Sequence, residues 1–244
     1  MIFRLTLIAA LLAIAAPSAA RADDSVYAGI TLNPLFGEHQ SFNDKVKPPP
    51  IPAPLLDATA RRGRAELYFT GLPASVSVPY EDATQSHTST TLSILDGTAR
   101  FYLTRNFSLG IGETMYNQTT HYSISIPVSG GGERQYSRIV GAHYEVHYVK
   151  PAGVGRIEVS FAYAPTLYGT QTTTFDVKPG SSTLFDPEKG KQIDTSVRYV
   201  RQRGKLETIY GIRYINFTAI YTANGSLSDR NVGILPTFGL RTRL

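Results

Sequence analysis

The sequence contains no cysteine and no tryptophan, and only two methionines in 244 residues. The absence of cysteine excludes a disulfide scaffold, a metal site with thiolate ligands and a cysteine nucleophile. Charged residues are also sparse, at 18%, whereas hydrophobic residues make up 42% and the aromatic residues are 15 tyrosines and 11 phenylalanines. Such a chain is too apolar to be disordered throughout, and its aromatic residues favour strands.

Long hydrophobic runs are missing after the first twenty residues, so no segment there approaches the about 18 residues that a spanning helix needs. Residues 1–22 combine Arg4, an apolar stretch ended by Pro17, and the small residues Ala20 and Ala22. This order is typical of a secretory signal peptide, whereas the short apolar stretch disfavours a membrane anchor. We expect export and cleavage after Ala22.

Motifs for nucleotide or metal chemistry are also absent: there is no Walker loop, no Rossmann glycine pattern and no His-Glu-x-x-His sequence. Cleavage after Ala22 would remove Arg4 and Arg21 and lower the formal net charge from +5 to +3. So small a charge does not suggest nucleic-acid binding. We expect no cofactor and no nucleic-acid partner.

Apolar and polar residues alternate along most of the chain after residue 60, which is the period of a β-strand. No segment of useful length has a helical period. Residues 23–60 are predicted to form a separate region, with a strand-like segment at 26–36 and an irregular proline-rich stretch, and residues 61–244 to form a β-barrel. The alternation is clearest at 64–71, 98–104, 139–149, 156–163, 194–199 and 232–240.

Two predicted strands depart from this alternation, at 107–118 and at 206–221. The apolar phase of residues 107–118 shifts near Gly112, and glycine within a strand often marks a bulge. A bulge there would turn Glu113 toward the polar face.

The predicted connections alternate between short and long. Short turns and long polar loops on opposite ends are the layout of transmembrane β-barrels. The short turns lie at 104–106, 150–153 and 202–205, and the long loops at 121–136, 169–191 and 222–230.

The placement of the charged residues suggests which face is inside. Every lysine after residue 22 lies in a predicted loop or turn, whereas the strands carry arginine together with glutamate or aspartate. Arginine suits a confined interior, because its planar group pairs bidentately with carboxylates and is weakly hydrated. The polar face is therefore predicted to line the lumen, and the tyrosine-rich apolar face to contact lipid. The predicted lumen charge network is Arg64, Glu66, Arg100, Glu145, Arg156, Glu158, Asp194, Arg198, Glu207, Arg213 and Arg241.

The end of the chain supports the same interpretation. Thr237, Gly239 and Leu244 match the C-terminal pattern of a polar residue, a glycine and a final hydrophobic residue, whereas Thr242 departs from it and Leu244 replaces the usual phenylalanine. In this pattern the sequence resembles the small outer-membrane β-barrel proteins of Gram-negative bacteria, the OmpA/OmpW-like group. The resemblance implies an outer-membrane location, with outer-membrane lipid, lipopolysaccharide and the outer-membrane assembly machinery as partners.

The predicted fold is an all-β, antiparallel, up-and-down transmembrane barrel. Counting strands back from the C-terminus gives eight, and a ten-stranded barrel is the alternative because residues 26–36 also have a strand pattern. The oligomeric state is left open.

Two short motifs carry candidate chemistry. His143, Glu145 and His147 share one strand face and could ligate a metal, but the two histidines are about 13 Å apart along a strand, so both cannot reach one ion. His121 and Ser123 resemble the first part of the His-x-Ser-Asn motif of outer-membrane lipid A deacylases, although Ile124 replaces the asparagine. The favoured interpretation of the three β-strand residues is a structural lumen network, and that of His121 and Ser123 is a chance pairing in a loop.

Three functions follow from these observations. The preferred hypothesis is a non-enzymatic outer-membrane barrel, either structural or a narrow passive pore, with long extracellular loops. The alternatives are a lipid-modifying hydrolase that uses His121 and Ser123, and a soluble exported ligand-binding barrel, whose apolar face would point inward.

Overall fold

The computed structural model describes residues 24–41, 44–46, 51–71, 76–81, 87–123, 132–175, 182–185, 189–221 and 227–244. Within these residues no helix is long and apolar enough to cross a bilayer. The strands are β1 (Ser25–Ser41), β2 (Asp44–Val46), β3 (Ile51–Arg62), β4 (Ala65–Gly71), β5 (Val76–Glu81), β6 (His87–Tyr102), β7 (Phe107–Ser123), β8 (Gly132–Ala152), β9 (Gly155–Ala164), β10 (Leu167–Phe175), β11 (Ser182–Phe185), β12 (Lys189–Arg203), β13 (Leu206–Tyr221) and β14 (Leu227–Arg243).

The strands form a closed antiparallel barrel of ten strands. β1 pairs with β3 on one side and with β14 on the other, which closes the ring. Two positions of the ring are each filled by two segments, because β4 and β5 both pair with β6, and β9 and β10 both pair with β8. The sequence analysis left eight or ten strands open. The barrel has ten, because β1 and β3 are part of the ring.

Tight turns lie together at one end of the barrel, called here the turn end. Gly63, Gly153 and Gly204 have positive φ angles of 56°, 57° and 63° and begin two-residue connections between adjacent strands. Glycine at this position suits hairpin turns that follow the right-handed twist of the strands. At the same end, the Leu244 N–H donates to the carbonyl of Val26 (3.0 Å), which ties the last strand to the first.

The proline-rich stretch enters the barrel, contrary to the sequence prediction of an irregular region up to residue 60. Pro52 and Pro54 lie in β3, opposite Pro34 and Leu32 of β1. This half of β3 is an edge, because pairing with β4 begins only at Leu56. Proline lacks an N–H and is therefore tolerated there. Residues 47–50, which include the first prolines of the run, lie outside the described residues.

The two faces of the barrel wall differ in polarity. Along β8, His147 is 2% exposed, whereas its neighbour Tyr148 is 41% exposed and Tyr144 is 67% exposed. The same alternation along β9 buries Glu158 and exposes Phe161. Polar and charged side chains therefore fill the interior, and apolar side chains cover the outside.

The bulge predicted at Gly112 is wrong. The pairing of β7 with β6 and with β8 keeps one register from end to end, so Glu113 stays on the outward face. Gly112 serves packing instead, because a Cβ atom there would lie 2.4 Å from Nε2 of His143. The glycine makes room for a histidine in the interior without changing the phase of the strand.

Candidate functional site in the barrel interior

Inward-facing side chains form three layers, named here from the turn end upward. The charge layer consists of Asp57, Glu66, Arg100, Glu145, Arg156, Glu158, Arg198, Glu207 and Arg241. The polar layer consists of Asp96, Thr98, Thr114, His143, Gln192, Asp194 and Arg213. The apolar layer consists of Ile94, Tyr116, Ile139, Ala164, Leu167 and Phe217.

Six members of the charge layer form a closed cycle of alternating charges, called here the charge ring. In order, its members are Arg156, Glu207, Arg241, Asp57, Arg198 and Glu158, which returns to Arg156. Each carboxylate accepts from two arginines, and each arginine donates to two carboxylates. The members come from β3, β9, β12, β13 and β14, so the ring joins distant parts of the chain.

The distances in the charge ring are those of charge-assisted hydrogen bonds. Glu207, which has no exposed surface, accepts from Arg156 at 2.6 Å and from Arg241 at 2.8 Å. Asp57 accepts from Arg241 at 2.9 Å and from Arg198 at 3.0 Å. The six ion pairs of the ring hold its side chains in one arrangement within a confined space.

Arg100 forms a second group beside the ring. Its Nη1 donates to Glu66 at 2.8 Å, and its Nη2 donates to Glu145 at 3.1 Å. Tyr68 connects this group to the ring: its ring lies 4.4 Å from the Arg100 guanidinium, and its hydroxyl donates to Asp57 at 3.1 Å. The charge layer is therefore one connected network.

Most of the residues proposed for the lumen network lie in the interior, and one does not. The structure brings together Glu66, Arg100, Glu145, Arg156, Glu158, Arg198, Glu207 and Arg241. Asp194 and Arg213 pair with each other higher up, with both Asp194 oxygens 3.0 Å from Arg213 Nε. Arg64 does not belong to the network, because it occupies the exposed turn between β3 and β4.

Asp57 was missed by the sequence interpretation, because it follows the prolines of β3. The available signal was weak: Leu55, Asp57 and Thr59 share one phase of a short alternating segment. Only the barrel closure brings Asp57 to Arg241, which is 184 residues away in the chain.

The polar layer gathers around His143. Its Nε2 is 3.0 Å from the hydroxyl of Thr98, and its Nδ1 is 3.8 Å from the carboxylate of Asp96. Asp96 also accepts from Thr114 at 2.5 Å. These partners hold the imidazole in place, and the adjoining cavity of about 30 Å³ has room for roughly one water molecule.

The three candidate metal ligands of β8 have separate partners. His143 contacts Thr98, Glu145 pairs with Arg100, and the Nδ1 atom of His147 is 3.4 Å from Ser108 Oγ. In the described part of the chain, no group of three or more histidine or acidic side chains is arranged for a metal ion.

The apolar layer closes the interior above the polar layer. The rings of Tyr116 and Phe217 stack at 5.0 Å, although β7 and β13 are not neighbours in the sheet. Ile139 and Leu167 are fully buried beside them. Because these side chains lie on the phase that is otherwise polar, the sequence pattern did not predict an apolar layer within the lumen.

The alternative catalytic pair lies near the upper end of β7. The backbone of His121 pairs with Ser89 and Arg134, whereas the side chains of His121 and Ser123 lie outside the described part of the structure. A catalytic His-Ser pair needs an acid partner, and Glu113, a carboxylate on the same strand, is eight residues from His121, which corresponds to about 26 Å. That distance excludes Glu113 as a partner of His121.

Comparisons with known proteins show similarity in fold. No protein-family model matches the sequence, and no curated protein matches it. The outer-membrane protease OmpT from Escherichia coli is similar in structure, with a TM-score of 0.62 over 93% of this chain and 99% of that one, at 13% identity. The toluene transporter TodX of Pseudomonas putida matches with a TM-score of 0.37 over 91% of this chain and 71% of that one, at 10% identity. The chain thus has the fold of an outer-membrane β-barrel.

Proposed function

We propose that the protein is an integral outer-membrane β-barrel whose interior is closed, and that it acts as a non-enzymatic structural protein of the cell surface. The charge ring carries this proposal, because its alternating arginines and carboxylates bridge strands across the lumen. An open pore would need a continuous water path past these side chains.

The outer surface supports a membrane location. Exposed apolar side chains occur on the outward face of almost every strand of the ring, and they include Phe101, Ile111, Tyr144, Ile212 and Phe238. A belt of this size is unfavourable in water but suits the hydrocarbon core of a bilayer. In this location, outer-membrane lipid and lipopolysaccharide would contact the belt, and the outer-membrane assembly machinery would insert the barrel. Residues 1–22 lie outside the described residues, so cleavage after Ala22 stays a prediction.

The three layers support a closed structural barrel over a passive pore. An ion that moves along the axis would have to separate the pairs of the charge ring, then pass the polar layer around His143, and then displace the stacked Tyr116 and Phe217. Separating buried ion pairs is costly, because each partner is left desolvated and uncompensated. In the proposed orientation the long connections face the exterior, where a surface protein would make its contacts.

Electrical recording tests the closed interior. The mature protein, refolded from detergent into planar bilayers, should give no steady conductance, whereas an open porin inserted under the same conditions gives discrete steps. Insertion is checked separately by extraction with detergent and by the slower gel migration of the boiled sample, since folded barrels resist detergent. Steady, ohmic steps from the folded protein would overturn the closed-barrel proposal in favour of a narrow passive pore.

A further inference from the structure

A cavity of about 230 Å³ lies at the turn end of the barrel, next to the charge ring. Its volume would hold roughly seven water molecules at the density of the liquid. Five arginines and two carboxylates line the cavity, and among the described residues all of the arginines except Arg61 are paired with carboxylates of the charge layer. The arginines are Arg61, Arg100, Arg156, Arg198 and Arg241, and the carboxylates are Glu66 and Glu158.

Two buried nitrogen atoms of the wall have no partner among the described residues. Arg198 donates from Nη1 to Asp57 and from Nη2 to Glu158, but its Nε atom is unpartnered. His147 has Ser108 beside Nδ1, whereas its Nε2 atom is unpartnered. Buried polar atoms are almost always hydrogen-bonded, so an occupant of the cavity is needed to satisfy them.

Arg61 adds a positive charge to the same wall. Its guanidinium stacks on the Tyr102 ring at 3.8 Å, and its Nε donates to the carbonyl of Gly63 at 3.2 Å. Among the described residues no carboxylate pairs with Arg61. Tyr102 also lies edge-on to His147, with ring centroids 6.3 Å apart, so one aromatic residue contacts both groups.

We propose that this cavity binds a small oxyanion, a phosphate or carboxylate group, held by Arg61, His147 and Arg198. Arg61 and Arg198 supply N–H donors, and His147 supplies a third in the tautomer in which Ser108 donates to Nδ1 and Nε2 carries the proton. Guanidinium groups match the planar or forked geometry of oxyanions. Arg61 is the one arginine of the wall that forms no ion pair among the described residues, so its guanidinium can bind an oxyanion beside the unpartnered nitrogens of Arg198 and His147. In the orientation proposed above, the cavity lies on the periplasmic side of the membrane.

Calorimetric titration of the folded, full mature chain in detergent micelles tests this site. Inorganic phosphate and acetate are titrated separately at constant ionic strength set with sodium chloride. We expect saturable binding of at least one of the two anions. Arg61→Gln should weaken that binding at least tenfold, and His147→Ala should weaken it as well.

Arg64→Gln is the matched control, because Arg64 belongs to the same hairpin and carries the same charge but is exposed outside the cavity. Its binding should equal that of the unaltered protein, and gel migration without boiling confirms that each variant is folded. Binding of phosphate alone or of acetate alone supports the site and identifies the oxyanion class. The proposal is overturned if neither anion binds saturably, or if Arg61→Gln and Arg64→Gln weaken binding equally. None of these outcomes depends on whether the lumen conducts.

Discussion

Glu207→Gln should lower the free energy of unfolding by about 3–5 kcal/mol, as expected when one partner of a buried ion pair is removed. Glu207 has no exposed surface and accepts hydrogen bonds from both Arg156 and Arg241. Glutamine keeps the shape and one acceptor oxygen but removes the charge, so both guanidinium groups lose a counterion. Reversible urea unfolding from lipid vesicles measures the loss.

Glu113→Gln is the control for this experiment. It is the same substitution, but Glu113 lies on the outward face of β7, outside the interior network. Glu113→Gln should cause no large loss of stability, because a charge on the lipid-facing side is itself unfavourable and glutamine removes it. Equal, small losses of about 0–1 kcal/mol for both variants would mean that the charge ring is as hydrated as an exposed pair, and would contradict a closed lumen.

Phe161→Arg should lower the free energy of unfolding by about 2–4 kcal/mol, because it places a guanidinium in the hydrocarbon core. Phe161 lies in the middle of β9 on the outward face and is 47% exposed. Unfolding from lipid vesicles, monitored by tyrosine fluorescence, measures the change.

Val154→Arg serves as the comparison for Phe161→Arg, because Val154 is 68% exposed but lies in the turn between β8 and β9. At the end of the barrel an arginine reaches water, so we expect a change of less than about 1 kcal/mol. If Phe161→Arg were as mild as Val154→Arg, the outward face would not contact lipid, and a soluble barrel would be the better interpretation.

The polarity of the two faces was predictable from the sequence because the side-chain period of a strand is two. Once residues 156–163 are read as a strand, Glu158 and Phe161 must lie on opposite faces. The restriction of lysine to loops, with arginine in the strands, then indicated which face was confined. Both clues are local, so they need no knowledge of strand pairing.

The ring of strands and the partners within it were less predictable. Proline normally argues against a strand, so the sequence did not predict β3. Proline is tolerated at a sheet edge, but the edge in β3 exists only because its pairing with β4 begins at Leu56, which the sequence does not reveal. The charge ring pairs Arg241 with Asp57 only because β14 closes on β1 and β3. Register and closure are non-local properties, and alternation alone does not determine them.

The interior apolar layer was also not predictable from the sequence, because it depends on contacts across the lumen. Tyr116 and Phe217 meet across the lumen, so neither is next to the other along the chain or in the sheet. Each, taken alone, is an aromatic residue on a face that the rest of its strand makes polar. A bulge at Gly112 was a reasonable explanation for such a residue, but a continuous strand with an aromatic side chain in the lumen is the arrangement observed.

Single-cysteine labelling tests the closed membrane barrel most directly, because the chain has no cysteine of its own. Val159 and Ser160 are adjacent in β9, with Val159 outward and Ser160 inward, where its hydroxyl is 2.7 Å from that of Ser196. In vesicles, a water-soluble maleimide should label Val154→Cys in the turn but neither of the two variants in β9. A lipid-soluble maleimide should label Val159→Cys but not Ser160→Cys. Labelling of Ser160→Cys by the water-soluble reagent would show an open lumen, and its labelling by the lipid-soluble reagent would show that inside and outside are reversed.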